Sequence, residues 1–141
     1  MNNNQEMNTC CNNCLADVLK VILILQDNAD CGDACLDTCD RGFLGQQFST
    51  TFYNTRPIVL YTYNTGNTPL AMPISKDPTE TTTSSIFRIE KLDKCCATFR
   101  VLVATTAEDV TTYTSTNSFF TINLYCLCII ICLGDTFVEN I

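Results

Sequence analysis

The sequence predicts a mainly β protein, an antiparallel β-sandwich preceded by an N-terminal α-helix. Apolar residues recur with a helical period in residues 9–27. From residue 43 onward the chain is rich in Thr, in other β-branched residues and in aromatic residues, which suit strands. The 141 residues are enough for one domain with its own core, and we find no internal repeat.

The N-terminal region divides into a polar tail and a helical arm. Residues 1–8 are polar, and we expect them to be disordered. Residues 9–42 form a cysteine-rich helical arm, whose first part, Thr9–Asp27, is predicted to be a helix that packs on the sandwich as part of one domain. The residues at the spacing of one buried face are Cys11, Cys14, Leu15, Val18, Ile22 and Leu25, with Val21 and Ile24 extending it.

The second part of the arm carries cysteines and acidic residues at similar spacing. Cys31, Cys35 and Cys39 are four residues apart, and four aspartates lie between Asp30 and Asp40. In a short helix the cysteines and the acids would lie on opposite faces, while a cysteine-lined loop fits the same residues equally well.

Residues 43–141 are predicted to form the sandwich. Each expected strand is a run of β-branched or aromatic residues, with the sequence NTGNTP as a turn after the first. The expected strands are Pro57–Tyr63, Leu70–Ile74, Ser84–Leu92, Cys95–Ala104 and Thr121–Leu133, with a short edge strand at Thr136–Ile141.

The last long strand contains three cysteines in an apolar run. Strict alternation would place Cys126, Cys128 and Cys132 on one face of the strand. Both faces are apolar, so we expect either a central strand or an edge strand whose partner lies outside the chain. Cys126 and Cys128 would lie roughly 6.6 Å apart along the strand with parallel side chains, which disfavours a bond between them.

Composition excludes several functions. The net charge of −7 argues against a nucleic-acid partner, because phosphates require Lys and Arg. No apolar run reaches the ~20 residues of a membrane span, and the polar start predicts synthesis in the cytoplasm without a signal peptide. The absence of histidine excludes Ser–His and Cys–His dyads, and with no Gly-rich phosphate loop we expect no enzyme and no cofactor.

The eleven cysteines leave several interpretations open. Because eleven is odd, at least one thiol must stay free, bind something else or pair between chains. Buried free thiols are the simplest alternative. A zinc-binding module could use Cys11, Cys14, Cys31 and Cys35 as ligands. The C-x-x-C sequence at Cys11–Cys14 could serve a redox enzyme, but it does not follow the βαβ unit that a thioredoxin-like site requires.

The ordered set of segments resembles the CotY/CotZ/ExsY family of spore coat and exosporium proteins. The chain lacks the His-rich stretch that this family often carries before its first cysteines. The segments that carry the resemblance are Cys14–Asp27, Cys31–Cys35, Phe43–Gly45, Asn54–Thr62, Ser85–Glu90, Cys96–Leu102 and Ser115–Asp135, the last containing C-x-C-x3-C.

The resemblance implies a structural protein of the outer spore layers, in the exosporium or the outer coat. Such subunits assemble with copies of themselves and with other coat proteins into hexagonally ordered two-dimensional layers that disulfides harden. They are made in the mother cell, whose lysis exposes the layer to oxidation. This would reconcile cytoplasmic synthesis with a high cysteine content.

On this interpretation the thiols divide into two groups. The arm and one strand end supply the candidates for bonds between chains, which are Cys10, Cys11, Cys14, Cys31, Cys35, Cys39 and Cys95. The strands supply the candidates for bonds within the chain, which are Cys96, Cys126, Cys128 and Cys132.

Overall fold

The structure is a computed structural model that describes residues 14–29 and 53–141. One helix and seven strands confirm the mainly β, antiparallel class with an N-terminal helix within these residues. The elements are helix α1 (Cys14–Ala29) and strands β1 (Ile58–Thr62), β2 (Met72–Pro73), β3 (Thr83–Ser84), β4 (Ile86–Asp93), β5 (Cys96–Ala107), β6 (Val110–Asn123) and β7 (Leu127–Cys132).

Five strands form the main sheet in the spatial order β6-β5-β4-β1-β7, with every neighbouring pair antiparallel. Strands β2 and β3 form a separate two-stranded sheet. Among the described residues, β6 and β7 are therefore the two edges of the main sheet. The predicted tail, the first residues of the predicted helix and the segment around Cys31, Cys35 and Cys39 lie outside the described residues.

Strands β5 and β6 form a long hairpin, and most of β6 was not predicted as a strand. The two turn residues, Glu108 and Asp109, have φ angles of 54° and 66°. Positive φ at both central positions matches the twist of a two-residue hairpin, although Glu-Asp is not the usual pair there. The turn therefore gives no strong sequence signal, and the predicted strands do not include most of the polar, Thr-rich segment that follows it.

Helix α1 packs on one face of the main sheet, with a buried side that differs from the predicted one. Ala16, Leu19 and Ile22 are buried against the sheet and belong to its main core. Val18 and Val21, which we expected to be buried, are exposed by 39% and 54%. Ile22 was predicted to be buried, so the two sides overlap. The helix is apolar around most of its circumference, and periodicity alone therefore selected a face rotated from the true one.

The main core lies between α1 and the central strands. Phe87 on β4, Phe99 on β5 and Phe120 on β6 form an aromatic cluster in it. The Phe87 and Phe120 rings meet edge to face at a centroid distance of 4.9 Å, and the Phe99 and Phe120 rings stack at 5.4 Å. Such geometry favours aromatic pairs beyond the area they bury.

The C-terminal segment lies against residues that precede β1. The side chain of Asn54 bonds the backbone of Val138 twice, accepting from its N–H at 2.9 Å and donating to its C=O at 3.0 Å. The segment forms only an isolated bridge, between Thr55 and Thr136, instead of the predicted short strand. Val138 is nevertheless 1% exposed, so the segment is firmly packed.

The predicted last long strand is broken in two. Asn123 ends β6, and its side chain accepts a hydrogen bond from Tyr125 N–H, which caps the 3₁₀ helix Leu124–Cys126. Strand β7 starts after this turn, at Leu127. The expectation of one continuous strand was wrong because a single capping residue turned the chain within an apolar run.

A β-bulge at the start of β7 also corrects the predicted alternation of its cysteines. Leu127 pairs with Thr62 and Ile129 pairs with Tyr61, so Cys128 is an extra residue without a partner in the ladder. Leu127 instead enters the core, with 3% of its surface exposed. Because Cys126 lies in the 3₁₀ helix and Cys128 in the bulge, the three cysteines do not share the face of one regular strand.

Candidate assembly surface

The described part of the chain presents five free thiols. Four of them are exposed, and the fifth, Cys128, is half-buried. They lie at the start of α1 (Cys14), at the start of β5 (Cys96), in the 3₁₀ helix (Cys126) and in β7 (Cys128, Cys132). The expected intra-chain bonds of Cys96, Cys126, Cys128 and Cys132 are not formed in this structure, so oxidation of these thiols stays a prediction.

Cys95 differs from its neighbour Cys96, because it is disulfide-bonded within the chain. The hairpin turn between β4 and β5 places it just before β5, and its C=O accepts a hydrogen bond from Leu124 N–H at 2.8 Å. A role for Cys95 in a bond between chains stays a prediction, and it would require exchange of this disulfide with an incoming thiolate.

The two thiols of β7 have different surroundings. The Cys128 Sγ lies 3.5 Å from the backbone C=O of Tyr61, which accepts its weak hydrogen bond. Cys132 pairs with Ile58 at the far end of the strand and is exposed. Strand geometry therefore leaves Cys132 the more accessible of the two to another molecule.

An ion pair lies just beyond the end of β7. The Arg56 Nε and Nη2 atoms donate to the two oxygens of Asp135 at 2.6 and 2.9 Å. This bidentate bond raises the pKa of Arg56 and lowers the pKa of Asp135. Both side chains are about one-third exposed, at 33% and 36%, so the pair orients the chain after β7 more than it stabilises the fold.

Strand β7 is an apolar edge strand. No described strand pairs with its outer side. Ile129 and Ile131 are exposed by 45% and 44% on the face opposite the core, and Tyr125 just before the strand is also exposed. Its sequence LCIIIC contains no charged residue and no proline, the two features with which natural proteins commonly protect an edge. Of the two predicted arrangements, a central or an edge strand, the described strands show an edge; a partner outside the chain stays a prediction.

A second exposed apolar surface lies on α1. Val18, Val21 and Leu25 follow Cys14 at intervals of four, three and four residues, which places all four on one side of the helix. All are exposed. This α1 stripe, defined by these four residues, is the alternative surface at which another molecule could dock.

A buried ionic network that sequence reasoning missed supports the sheet face opposite α1. Glu90 Oε2 accepts hydrogen bonds from Arg88 at 2.8 Å and from Arg100 at 2.9 Å. Arg88 also donates to the Thr55 hydroxyl and to the C=O of Asn54. The alternation of charged and apolar residues in β4 indicated a polar face, but the second arginine comes from another strand.

The zinc alternative is not tested by these residues. Of its four expected ligands, Cys11, Cys31 and Cys35 lie outside the described residues, and only Cys14 lies within them. Within residues 14–29 and 53–141, no three Cys, Asp or Glu side chains are grouped as a metal site would require.

Among the described residues, no helix combines the length and the apolar character that crossing a membrane requires. A shallow cleft beside α1 is lined by Gln26, Thr55, Arg56 and Asp135 among others. The Gln26 side chain bonds the backbone, Arg56 bonds Asp135, and the Thr55 hydroxyl accepts from Arg88 and donates to Asn54. These four side chains therefore already have hydrogen-bond partners.

Within the described residues, these features define a cysteine-rich, mainly β protein with exposed thiols and an apolar strand at a sheet edge. The chain belongs to the spore coat protein Z family, which matches residues 1–113. Membership confirms the resemblance to the CotY/CotZ/ExsY group and assigns the chain to the spore coat. The matched range ends inside β6, before the segment Ser115–Asp135. No curated protein and no solved structure matches the chain.

Proposed function

We propose that this protein is a self-assembling subunit of the outer spore layers, in the exosporium basal layer or the outer coat. Copies associate into a two-dimensional, hexagonally ordered layer, together with other coat proteins, and disulfides then cross-link it. The observation that carries the proposal is the exposure of four free thiols on a member of a spore coat family. In a layer that meets an oxidising medium, exposed thiols of neighbouring copies can be converted into disulfides that persist.

The proposed assembly has two stages with different chemistry. Contacts between folded surfaces give order, because weak symmetric contacts can form and break until copies are correctly placed. Disulfides then form between neighbouring thiols and prevent dissociation. The thiols proposed for bonds between chains are those of the arm, Cys10, Cys11, Cys14, Cys31, Cys35 and Cys39, together with Cys95 after exchange of its disulfide.

The test separates the two stages by oxidising the purified protein. Protein purified with reductant is dialysed against oxidised glutathione, which accepts the electrons of two protein thiols and leaves as two reduced glutathiones. We expect oligomers that survive boiling without reductant and dissolve with it, and ordered layers in electron micrographs. Protein alkylated with N-ethylmaleimide before oxidation is the matched control, which should lack the covalent oligomers.

The two readouts address the two parts of the proposal separately. Monomers alone on nonreducing gels of the unblocked protein would contradict cross-linking. Fibres or closed rings in place of layers would contradict the two-dimensional arrangement while leaving self-assembly intact.

A further inference from the structure

We propose that β7 is the contact at which two copies of this chain join, strand against strand and antiparallel, about a twofold axis. The inference rests on the proposed self-assembly and identifies the surface through which two copies first associate. The joined strands would merge two five-stranded sheets into one continuous sheet.

The backbone of β7 has hydrogen-bonding groups directed away from its own sheet. Leu133 N–H donates to Pro57 C=O at 2.8 Å, which fixes the side of the strand that faces β1 at this position. Because successive residues of an antiparallel strand alternate, Ile131 also bonds towards β1, and the N–H and C=O groups of Ile130 and Cys132 point outward. No described strand supplies partners for these outward groups.

The side chains of β7 favour another copy of the same molecule as the partner. Each copy carries a net charge of −7, so most surfaces of two copies repel each other. All six residues of β7 are uncharged. Two copies can therefore meet along this edge without placing like charges opposite each other. The other edge, β6, is also uncharged but mostly polar, whereas β7 presents exposed isoleucine side chains.

The twofold arrangement also satisfies the pairing rules of an antiparallel sheet. In the register centred on Ile130, the outward groups of Ile130 bond those of Ile130 in the other copy. Ile129 of each copy then lies opposite Ile131 of the other, on the face where both are exposed. Such cross-strand pairs of β-branched residues are among those that stabilise sheets. The strand is therefore complementary to itself, as an isologous contact requires.

The decisive variant removes a hydrogen-bond donor that only the partner would use. Ile130→Pro deletes an outward N–H, and proline is tolerated in an edge strand where its missing N–H faces solvent. Ile131→Lys keeps the backbone and places a charge opposite the other copy's Ile129. The two introduced lysines would be diagonal neighbours, about 7–8 Å apart at their Cα atoms, and would repel each other. If Ile130→Pro does not fold, Ile131→Lys alone tests whether β7 is the contact between two copies.

The control variant places the same charge on the rival surface. Val21 is exposed by 54% in the α1 stripe, so Val21→Lys adds a lysine at comparable exposure without touching β7. Sedimentation of all three variants and the native chain over a concentration series, with reductant present, measures association without disulfides. Circular dichroism and thermal melting establish that each variant is folded.

We expect the native chain to associate reversibly and each folded β7 variant to raise the Kd of association about tenfold or more. Val21→Lys should leave the Kd unchanged. Folded β7 variants that associate like the native chain overturn the inference, as does loss of association in Val21→Lys alone, which would point to the α1 stripe. In both cases the proposed layer assembly stands. A native chain that stays monomeric with and without oxidant would instead overturn the proposed function itself.

Discussion

Arg88 and Arg100 lie directly opposite each other on β4 and β5, and both donate to the same oxygen of Glu90. Like charges in opposite positions of two strands destabilise a sheet, and here one carboxylate lies between them. The guanidinium of Arg100 also lies 4.5 Å from the centre of the Phe119 ring on β6. Glu90 thus makes an otherwise repulsive pair part of the link between the central strands.

Removing the charge of Glu90 should therefore destabilise the fold. In Glu90→Gln the two arginines, which are 8% and 13% exposed, would face each other without compensation. We expect the free energy of unfolding to fall by about 1–3 kcal/mol, because partly buried cations lose their charged partner. Urea denaturation measures this change in the free energy of unfolding, and Glu108→Gln in the exposed turn is the control. Equal stability of the two variants would contradict the role assigned to Glu90.

Gln26 links α1 to the sheet and to the chain before β1. Its Nε2 donates to the C=O of Ile89 at 2.9 Å, and its Oε1 accepts from Arg56 N–H at 3.1 Å. The side chain is 3% exposed, so Gln26→Leu would leave two buried backbone groups without their bonds. We expect a loss of about 1–3 kcal/mol in the free energy of unfolding, measured by urea denaturation. Asn28→Leu, on the exposed side of the helix, is the control and should change little.

The Arg56–Asp135 pair predicts a small dependence of stability on pH. The pKa of Asp135 in the folded state lies below its usual value because Arg56 donates to it. The Asp135 carboxylate therefore contributes to the free energy of unfolding at pH values above its unfolded pKa of about 3.9. This contribution is lost as the pH falls through the lower pKa of the folded state. Since both side chains are about one-third exposed, we expect a contribution of at most about 1 kcal/mol.

The measurement compares the native chain with Asp135→Asn. The native chain should be the more stable near pH 7, and the difference should vanish below the folded pKa of Asp135. Asp93→Asn, at the exposed end of β4, is the control for removing one surface carboxylate. A difference between native and Asp135→Asn that persists unchanged at pH 2 would contradict the assignment.

The different states of Cys95 and Cys96 predict a labelling pattern. Trypsin cleaves after Lys94 and Arg100, so both cysteines fall in one peptide. In protein purified without reductant, N-ethylmaleimide should label this peptide once, at the free and exposed Cys96. After reduction and denaturation it should carry two labels, which mass spectrometry distinguishes. Two labels without reduction would mean that Cys95 is not bonded.

The strands that the sequence predicted best are those with a clear β-strand composition. Strand β1 falls within its predicted run, and β4 and β5 match theirs but extend one and three residues further, because β-branched and aromatic residues there alternate with little interruption. Strand β6 was largely missed because its residues are polar, since most of its outer surface faces solvent. Local composition therefore predicts strands well when they are central and poorly when they are polar edges.

The candidate site was harder to predict than the fold. The thiols of β7 were identified, but their shared face was not, because the cap at Asn123 and the bulge at Cys128 leave no signature in an apolar run. The Glu90 network depends on the register between β4 and β5, which no local pattern contains. The α1 face was misassigned because the helix has more apolar positions than one sheet can cover.

The odd number of strands in the main sheet has a consequence for how a layer could grow. With every neighbour antiparallel, the first and fifth strands, β6 and β7, run in the same direction. Two copies joined through β7 would therefore end in two β6 strands of opposite polarity, and the pair would have identical ends. Further joining at those ends could produce only a ribbon. Width, and thus a wall around a spore, must come from contacts at the strand ends or on the two faces of the sheet.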